Sequence, residues 1–242
     1  DASGSMREAV GGATKMAVAK QAVRSLVDQM PDGARLGLAL YGTGTGNSAA
    51  EKAAGCDDVT VPHKVGPLDR AAFAATVDSA QPRGYTPIGK ALRVAAAQLP
   101  TEGPRAIVLV SDGVDTCAPP DPCEVARELA QQGVDLRIHA VGFGVDGRAQ
   151  QQLSCVAQIT GGTYADATDA ASLSRALNRA TVRAQRSYEV AGRPIDGTPQ
   201  PAGAPRVTPG AYLDRVGRDE HNHYAIDVPA ASTLYASATM IA

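Results

Sequence analysis

The 242-residue sequence has no tryptophan and only two phenylalanines, and aromatic residues make up 4% of it. A core must therefore rest on Val, Leu, Ile and Ala, which the 44% hydrophobic content supplies in quantity. Blocks of one charge are also missing: 23 Lys and Arg stand against 25 Asp and Glu, for a net charge of −2. Without a basic cluster to track a phosphate backbone, nucleic acid is excluded as a partner. No apolar run approaches the roughly 20 residues that a bilayer-crossing helix needs, so no membrane span is expected. Histidine is scarce and scattered, at His63, His139, His221 and His223. There is no Gly-x-Ser-x-Gly elbow and no evident nucleophile–base pair, so the chain does not read as an enzyme. The Gly-Thr alternation over Gly42 to Gly46 lacks the Lys-Ser/Thr of a phosphate loop and reads as a flexible loop.

The length suits one sizeable domain and part of a second. Apolar spacing predicts a helix from Met6 to Met30, stopped by Pro31-Asp32-Gly33, and then a strand over Arg35 to Tyr41. Asp58 to Pro62 reads as an edge strand and Leu68 to Ala80 as a helix. A further helix is expected over Thr86 to Leu99, with Thr86 at its N-cap and Pro87 at the first helical position. Ala106 to Val110 is an unbroken apolar strand, the pattern of a parallel sheet covered on both faces. Helix over Pro122 to Gln132, strand over Val134 to Phe143, helix over Arg148 to Ile159, strand over Gly161 to Tyr164 and helix over Asp169 to Gln185 follow. This alternation predicts an α/β fold: a doubly wound, mostly parallel sheet with helices on both faces. Beyond it, residues 186–209 read as a Pro/Gly-rich linker. Residues 210–242 read as the start of an incomplete β-rich, sandwich-like module, with strands at Tyr212-Leu213, His223 to Val228 and Thr233 to Thr239. His221 and His223 are expected to share an exposed strand face there.

Four cysteines, Cys56, Cys117, Cys123 and Cys155, allow three disulfide connectivities. Closing the short proline-rich loop between Cys117 and Cys123 would contribute about 2 kcal/mol through loop entropy and would leave Cys56 for Cys155. A disulfide framework implies an extracytoplasmic protein, and Cys-x5-Cys with no nearby histidine cluster argues against a zinc site at the cysteines.

Ligands of open α/β sheets gather beyond the carboxyl ends of the strands. Three segments converge on that edge. They are Asp1-x-Ser3-x-Ser5, Thr86 in Gly-Tyr-Thr-Pro-Ile, and Asp112 in Val-Ser-Asp-Gly. Hydroxyls and carboxylates from three loops make a partial shell for a hard, oxygen-seeking cation. Asp115, close behind Asp112, reads as a solvated neighbour. This set resembles the metal-ion-dependent adhesion site of von Willebrand factor type A (VWA) domains, and the Ser-Asp-Gly-x-Asp-Thr-Cys run from Ser111 with Val141-Gly142-Phe143-Gly144-Val145 looks most like the secreted bacterial members. The resemblance covers about residues 1–185 and implies a Rossmann-like VWA fold. It implies Mg2+ (or Mn2+) held around Asp1, Ser3, Ser5, Thr86 and Asp112, with the serines touching the metal and the aspartates acting largely through water. It further implies an adhesion module that coordinates an acidic side chain of a protein or cell-surface ligand. The other activities it allows are a subunit of a metal-inserting or ATPase-coupled complex, and a structural domain without metal. The family also places a central apolar strand directly before the first Asp, so the sequence reads as a fragment whose chain continues upstream of Asp1.

Overall fold

The computed structural model describes residues 1–100, 105–131, 136–185, 193–217 and 220–236. It divides into two units, Asp1–Ser187 and Tyr188–Ala242. In the first unit, one 3-10 turn at Gly4–Arg7 leads into the hairpin β1 (Ala9–Val10) and β2 (Ala13–Thr14), and only then into helix α1 (Lys15–Gln29). The expected helix from Met6 therefore starts nine residues late. Gly11 and Gly12, at φ +57° and +86°, make a turn that no helical residue could adopt. Thr14 then caps α1 by accepting from the Ala17 amide at 3.2 Å.

The remaining order is β3 (Arg35–Tyr41), α2 (Lys52–Asp57), β4 (Val59–Pro67), α3 (Arg70–Ser79), α4 (Ile88–Ala96) and β5 (Arg105–Ser111). After these come α5 (Pro122–Gln131), β6 (Leu136–Phe143), α6 (Gly147–Ile159), β7 (Tyr164–Ala167) and α7 (Ala170–Gln185). β4 outruns its expected end at Pro62 by five residues, because its antiparallel pairing with β3 runs on to Arg35–Pro67. Pro87 sits at the N-cap of α4 rather than inside it, so Thr86 lies outside the helix and does not cap it. The last strand lies three residues beyond its expected start, since Gly161 at φ +65° forms the turn out of α6. The start expected for β6, Val134, lies outside the described residues.

β5, β6 and β7 form a parallel sheet in that order, in unbroken register from Arg105–Leu136 to Ser111–Gly142. Alternation assigns its two faces. Ile107, Leu109, Ile138 and Ala140 pack with Leu92 of α4, Val125 of α5 and Leu153 of α6. Val108, Val110, Val141 and Phe143 pack instead with Val18 of α1 and Leu173 of α7. Helices thus cover both faces. The core is aliphatic, as the composition demands, and Phe143 is its largest wholly buried side chain.

β3 pairs only with β4, and no strand joins β3 to β5 among the described residues. Between them lies an apolar cavity of about 490 Å³, lined by Leu38, Leu40, Val23, Ile107 and Leu177, with Asp1 at its margin. The central strand that the resemblance implied has no counterpart among the described residues. Instead Ala2 donates to the Tyr41 carbonyl at 2.9 Å, and the Tyr41 hydroxyl reaches the Val110 carbonyl at 3.4 Å.

The disulfides are Cys56–Cys117 and Cys123–Cys155, with Cα separations of 5.4 and 5.8 Å. All four cysteines are paired, and of the three connectivities open to the sequence the one with a short Cys117–Cys123 loop is not the one formed. Cys123 lies in the first turn of α5, which packs along α6 and so meets Cys155, while Cys117 in the preceding loop meets Cys56 of α2.

In the second unit, β8 (Arg193–Pro194) pairs in parallel with β10 (Tyr212–Leu213), and β9 (Arg206–Val207) with β11 (Ala225–Ile226). Described residues 233–236 carry no strand, and the end of the strand expected there lies outside the described residues. His221 and His223 do not share a strand face. His221 is exposed, whereas His223 exchanges backbone bonds with Thr198.

Proteolysis without reductant, followed by mass spectrometry, should return Cys56–Cys117 and Cys123–Cys155 peptides and no Cys117–Cys123 loop. Cys56→Ser with Cys117→Ser opens a loop of 61 residues' separation and should cost roughly 4 kcal/mol in denaturant unfolding.

Candidate metal centre

The turn at residues 1–5 is fastened from two sides. Ser3 bridges to Gly84, the Gly4 amide donates to the Gly84 carbonyl at 2.9 Å, and Arg83 donates to the Ala2 carbonyl at 3.0 Å. Gly42, at φ +75°, closes the other side, where a Cβ would fall 2.9 Å from the Ser3 Cα and 2.8 Å from the Tyr85 carbonyl oxygen. Only glycine fits that approach. The rest of the Gly42–Gly46 loop is pinned rather than flexible. The Gly44 and Thr45 amides donate to the Asp58 carboxylate at 2.7 and 3.1 Å, and Gly46 donates to Glu51 at 3.1 Å. The chain's own carboxylates thus hold the amides that a phosphate would need.

Four of the five expected site residues form one hydrogen-bonded chain. Ser3 Oγ lies 3.0 Å from Ser5 Oγ, and Ser5 Oγ donates to Asp112 Oδ1 at 2.6 Å. Asp1 stands behind them. Its Oδ1 accepts from the Ser3 amide at 2.8 Å, and its Oδ2 accepts from Ser111 Oγ at 2.8 Å and the Asp112 amide at 3.3 Å. Ser3 is 1% and Asp112 5% exposed, so these oxygens are largely shielded from water. Thr86 is also buried and lies two residues past Gly84, but no hydrogen bond joins its hydroxyl to the other four. Its backbone is fixed instead by Thr116, which accepts from the Thr86 amide at 2.9 Å and donates its own amide to the Thr86 carbonyl at 3.1 Å.

Adjacent corners of an oxygen octahedron with bonds of about 2.1 Å are about 3.0 Å apart. The Ser3–Ser5 separation of 3.0 Å, here spanned by a hydrogen bond, is also the length of such an edge, so the pair could open onto a small hard cation without a large shift. Among the described residues no three His, Cys, Asp or Glu side chains gather into a metal cage. The donor set consists of hydroxyl and carboxylate oxygens, the chemistry of a hard rather than a soft cation.

Three partners escaped the sequence reading. Ser111 orients Asp1, a role hidden inside an apolar strand. Asp115 is half-buried and does more than face solvent: it accepts from the Gly89 amide at 2.9 Å and the Cys117 amide at 2.6 Å, tying the loop after β5 to the start of α4. Burial pushes its carboxyl above the usual range, against the pull of those amides. Lys15 places its ammonium 2.7 Å from Glu8 Oε2 and 3.1 Å from Asp112 Oδ2. Burial alone would lower its pKa, yet the Glu8 and Asp112 carboxylates together outweigh that and hold it above the ordinary value. The sequence signal for Lys15 was the Gly11-Gly12 turn, which brings the start of α1 back to the site.

Residues 1–114 match the von Willebrand factor type A domain. The chain is 30% identical over 173 residues to the uncharacterized protein YwmD of Bacillus subtilis, across 70% of this chain and 77% of the relative. The chain belongs to the von Willebrand factor type A domain family. Its fold matches a von Willebrand factor type A protein from Catenulispora acidiphila, with a TM-score of 0.60 and 22% identity over 76% of this chain and 41% of that one. It also resembles proximal thread matrix protein 1 of the mussel byssus, solved with a zinc-occupied MIDAS motif. There the TM-score is 0.50, with 16% identity over 69% of this chain and 40% of that one. In this VWA domain the two disulfides fit an oxidising, extracytoplasmic setting.

Gly42→Ala forces a side chain into a left-handed backbone position against Ser3. It should lower stability by about 1–3 kcal/mol in thermal or denaturant unfolding. Thr43→Ala, next to it in the half-exposed part of the loop, should change stability by less than about 0.5 kcal/mol.

Proposed function

We propose that this VWA domain is a divalent-cation-dependent protein-binding module, secreted or displayed at a cell surface. The carrying observation is the continuous run of oxygens from Ser3 through Ser5 to Asp112, backed by Asp1. Ser3, Ser5 and Asp112 would hold Mg2+ or Mn2+. Asp1 orients the turn through the Ser3 amide and the Ser111 hydroxyl, and Thr86 stands ready on the neighbouring loop. A bound cation supplies an electrophilic position for a carboxylate, because neutral hydroxyls leave most of its charge uncompensated. The partner would accordingly be a protein or surface ligand that offers an acidic side chain. The zinc found in the mussel protein's MIDAS motif supports a metal role for the same type of site. In this reading the residues at the site bind and orient, and the proposal assigns no catalytic step.

Calorimetric titration of Mg2+ and Mn2+ into the full chain should give saturable 1:1 binding that Asp112→Ala abolishes and Ser5→Ala weakens by at least tenfold, about 1.4 kcal/mol. Absence of binding in folded protein would refute the metal mechanism.

A further inference from the structure

A lysine is almost never buried unless its charge is paired. Lys15 is 7% exposed, and the side chain of its partner Asp112 is wholly buried. The fold builds this pair deliberately. The β1–β2 hairpin returns the chain so that the Lys15 amide donates to the Glu8 carbonyl at 2.8 Å, and the ammonium then spans Glu8 and Asp112. Gly144, at φ +61° in the turn after β6, leaves room for the stem: a Cβ there would lie 3.3 Å from Lys15 Cε. The ammonium is therefore confined, not swinging in solvent.

The two oxygens of Asp112 are divided. Oδ1 takes the Ser5 hydroxyl at 2.6 Å and faces the serine pair, while Oδ2 takes the lysine at 3.1 Å. A cation seated against Ser3, Ser5 and Oδ1 must share one carboxylate charge with a fixed ammonium on the other oxygen. We propose that Lys15 is a built-in counter-cation of this centre, which lowers its intrinsic affinity for divalent ions by neutralising Asp112 from behind. The inference rests on the metal-binding reading and adds a positioning residue that sets how tightly the metal is held. A centre weakened in this way holds its ion firmly only when an incoming carboxylate adds the missing negative charge, which couples ion and partner binding.

The probe is Mn2+ alone, followed by the electron paramagnetic resonance signal of free ion, with thermal unfolding measured with and without Mn2+. Lys15→Gln keeps a hydrogen-bond donor and removes the charge, Lys15→Met is a second uncharged form that keeps the stem, and Lys15→Arg keeps the charge. Either uncharged variant should bind Mn2+ at least about tenfold more tightly than the wild type, since one positive charge beside the ion is gone. Each should also be less stable without ion and gain a larger Tm increase from it, while Lys15→Arg stays near wild type. A merely structural lysine would lower both unfolding temperatures together and leave or weaken the affinity. Binding by wild type with equal or weaker affinity in the folded uncharged variants overturns the proposal and leaves the metal reading standing. Binding only by the uncharged variants supports it in its strongest form. No binding by wild type or any folded variant overturns both.

Discussion

The hydrogen bond from Ser5 to Asp112 joins residues 107 positions apart, and the arrangement of the upper edge of the sheet depends on it. Asp112 emerges at the end of β5 with its side chain out of reach of water. A buried carboxylate is tolerated only when its oxygens are satisfied, and here a hydroxyl and an ammonium from one short N-terminal segment do so. That requirement draws the first fifteen residues over the strand ends. It also explains why the turn at residues 1–5 is held by backbone bonds to Tyr41, Arg83 and Gly84 rather than left as a tail.

The loops around this centre are braced in the same manner. Thr116 and Asp115 fasten the segment after β5 to Thr86 and Gly89, and Cys117 locks that segment to α2 through Cys56. Gln152 of α6 accepts the Asp115 amide at 2.7 Å, and Cys155 on the same helix bonds to Cys123 at the start of α5. Both covalent links therefore lie on the elements that flank the Asp112 loop. Loops at a binding edge are ordinarily the mobile part of an α/β fold, and these cross-links hold the oxygen donors at fixed spacing. Preorganisation of that kind reduces the ordering that a ligand must impose.

The electrostatic character of the centre follows from its composition. A cage of several carboxylates would bind a cation strongly and screen it completely. With a cation bound as proposed, two hydroxyls, one shared carboxylate and one set back behind them would leave charge to be met from outside. Lys15, paired with the same carboxylate, would push the balance further in that direction. The glycine-rich loop beside it has its amides taken by Asp58 and Glu51 and contributes close backbone approach at Gly42 rather than ligand contacts.

Much of this was legible in the one-dimensional pattern, because it depends on local chemistry. The unbroken apolar run before Ser111 specifies a strand covered on both faces, helical spacing marks α3 to α7 within a few residues, and Asp-x-Ser-x-Ser with Asp112 names hydroxyls and carboxylates that the fold brings together, while Thr86 stays outside their hydrogen bonds. What spacing could not decide was the partner of each group across space. Cys117 and Cys123 are near in sequence, yet helix packing turns them toward different partners, Cys56 and Cys155. Lys15 looks like one more residue of a long helix until two left-handed glycines cut that helix short and fold its first turn back onto Asp112. Sequence by itself determined most of the helices and strands of the first unit, the core residue types and the hydroxyl and carboxylate groups near the strand ends, all set by periodicity and side-chain chemistry. Only the tertiary structure decided which cysteines bond, that Asp115 is a brace, and that a buried lysine shares the central carboxylate, because each depends on distances between elements far apart along the chain.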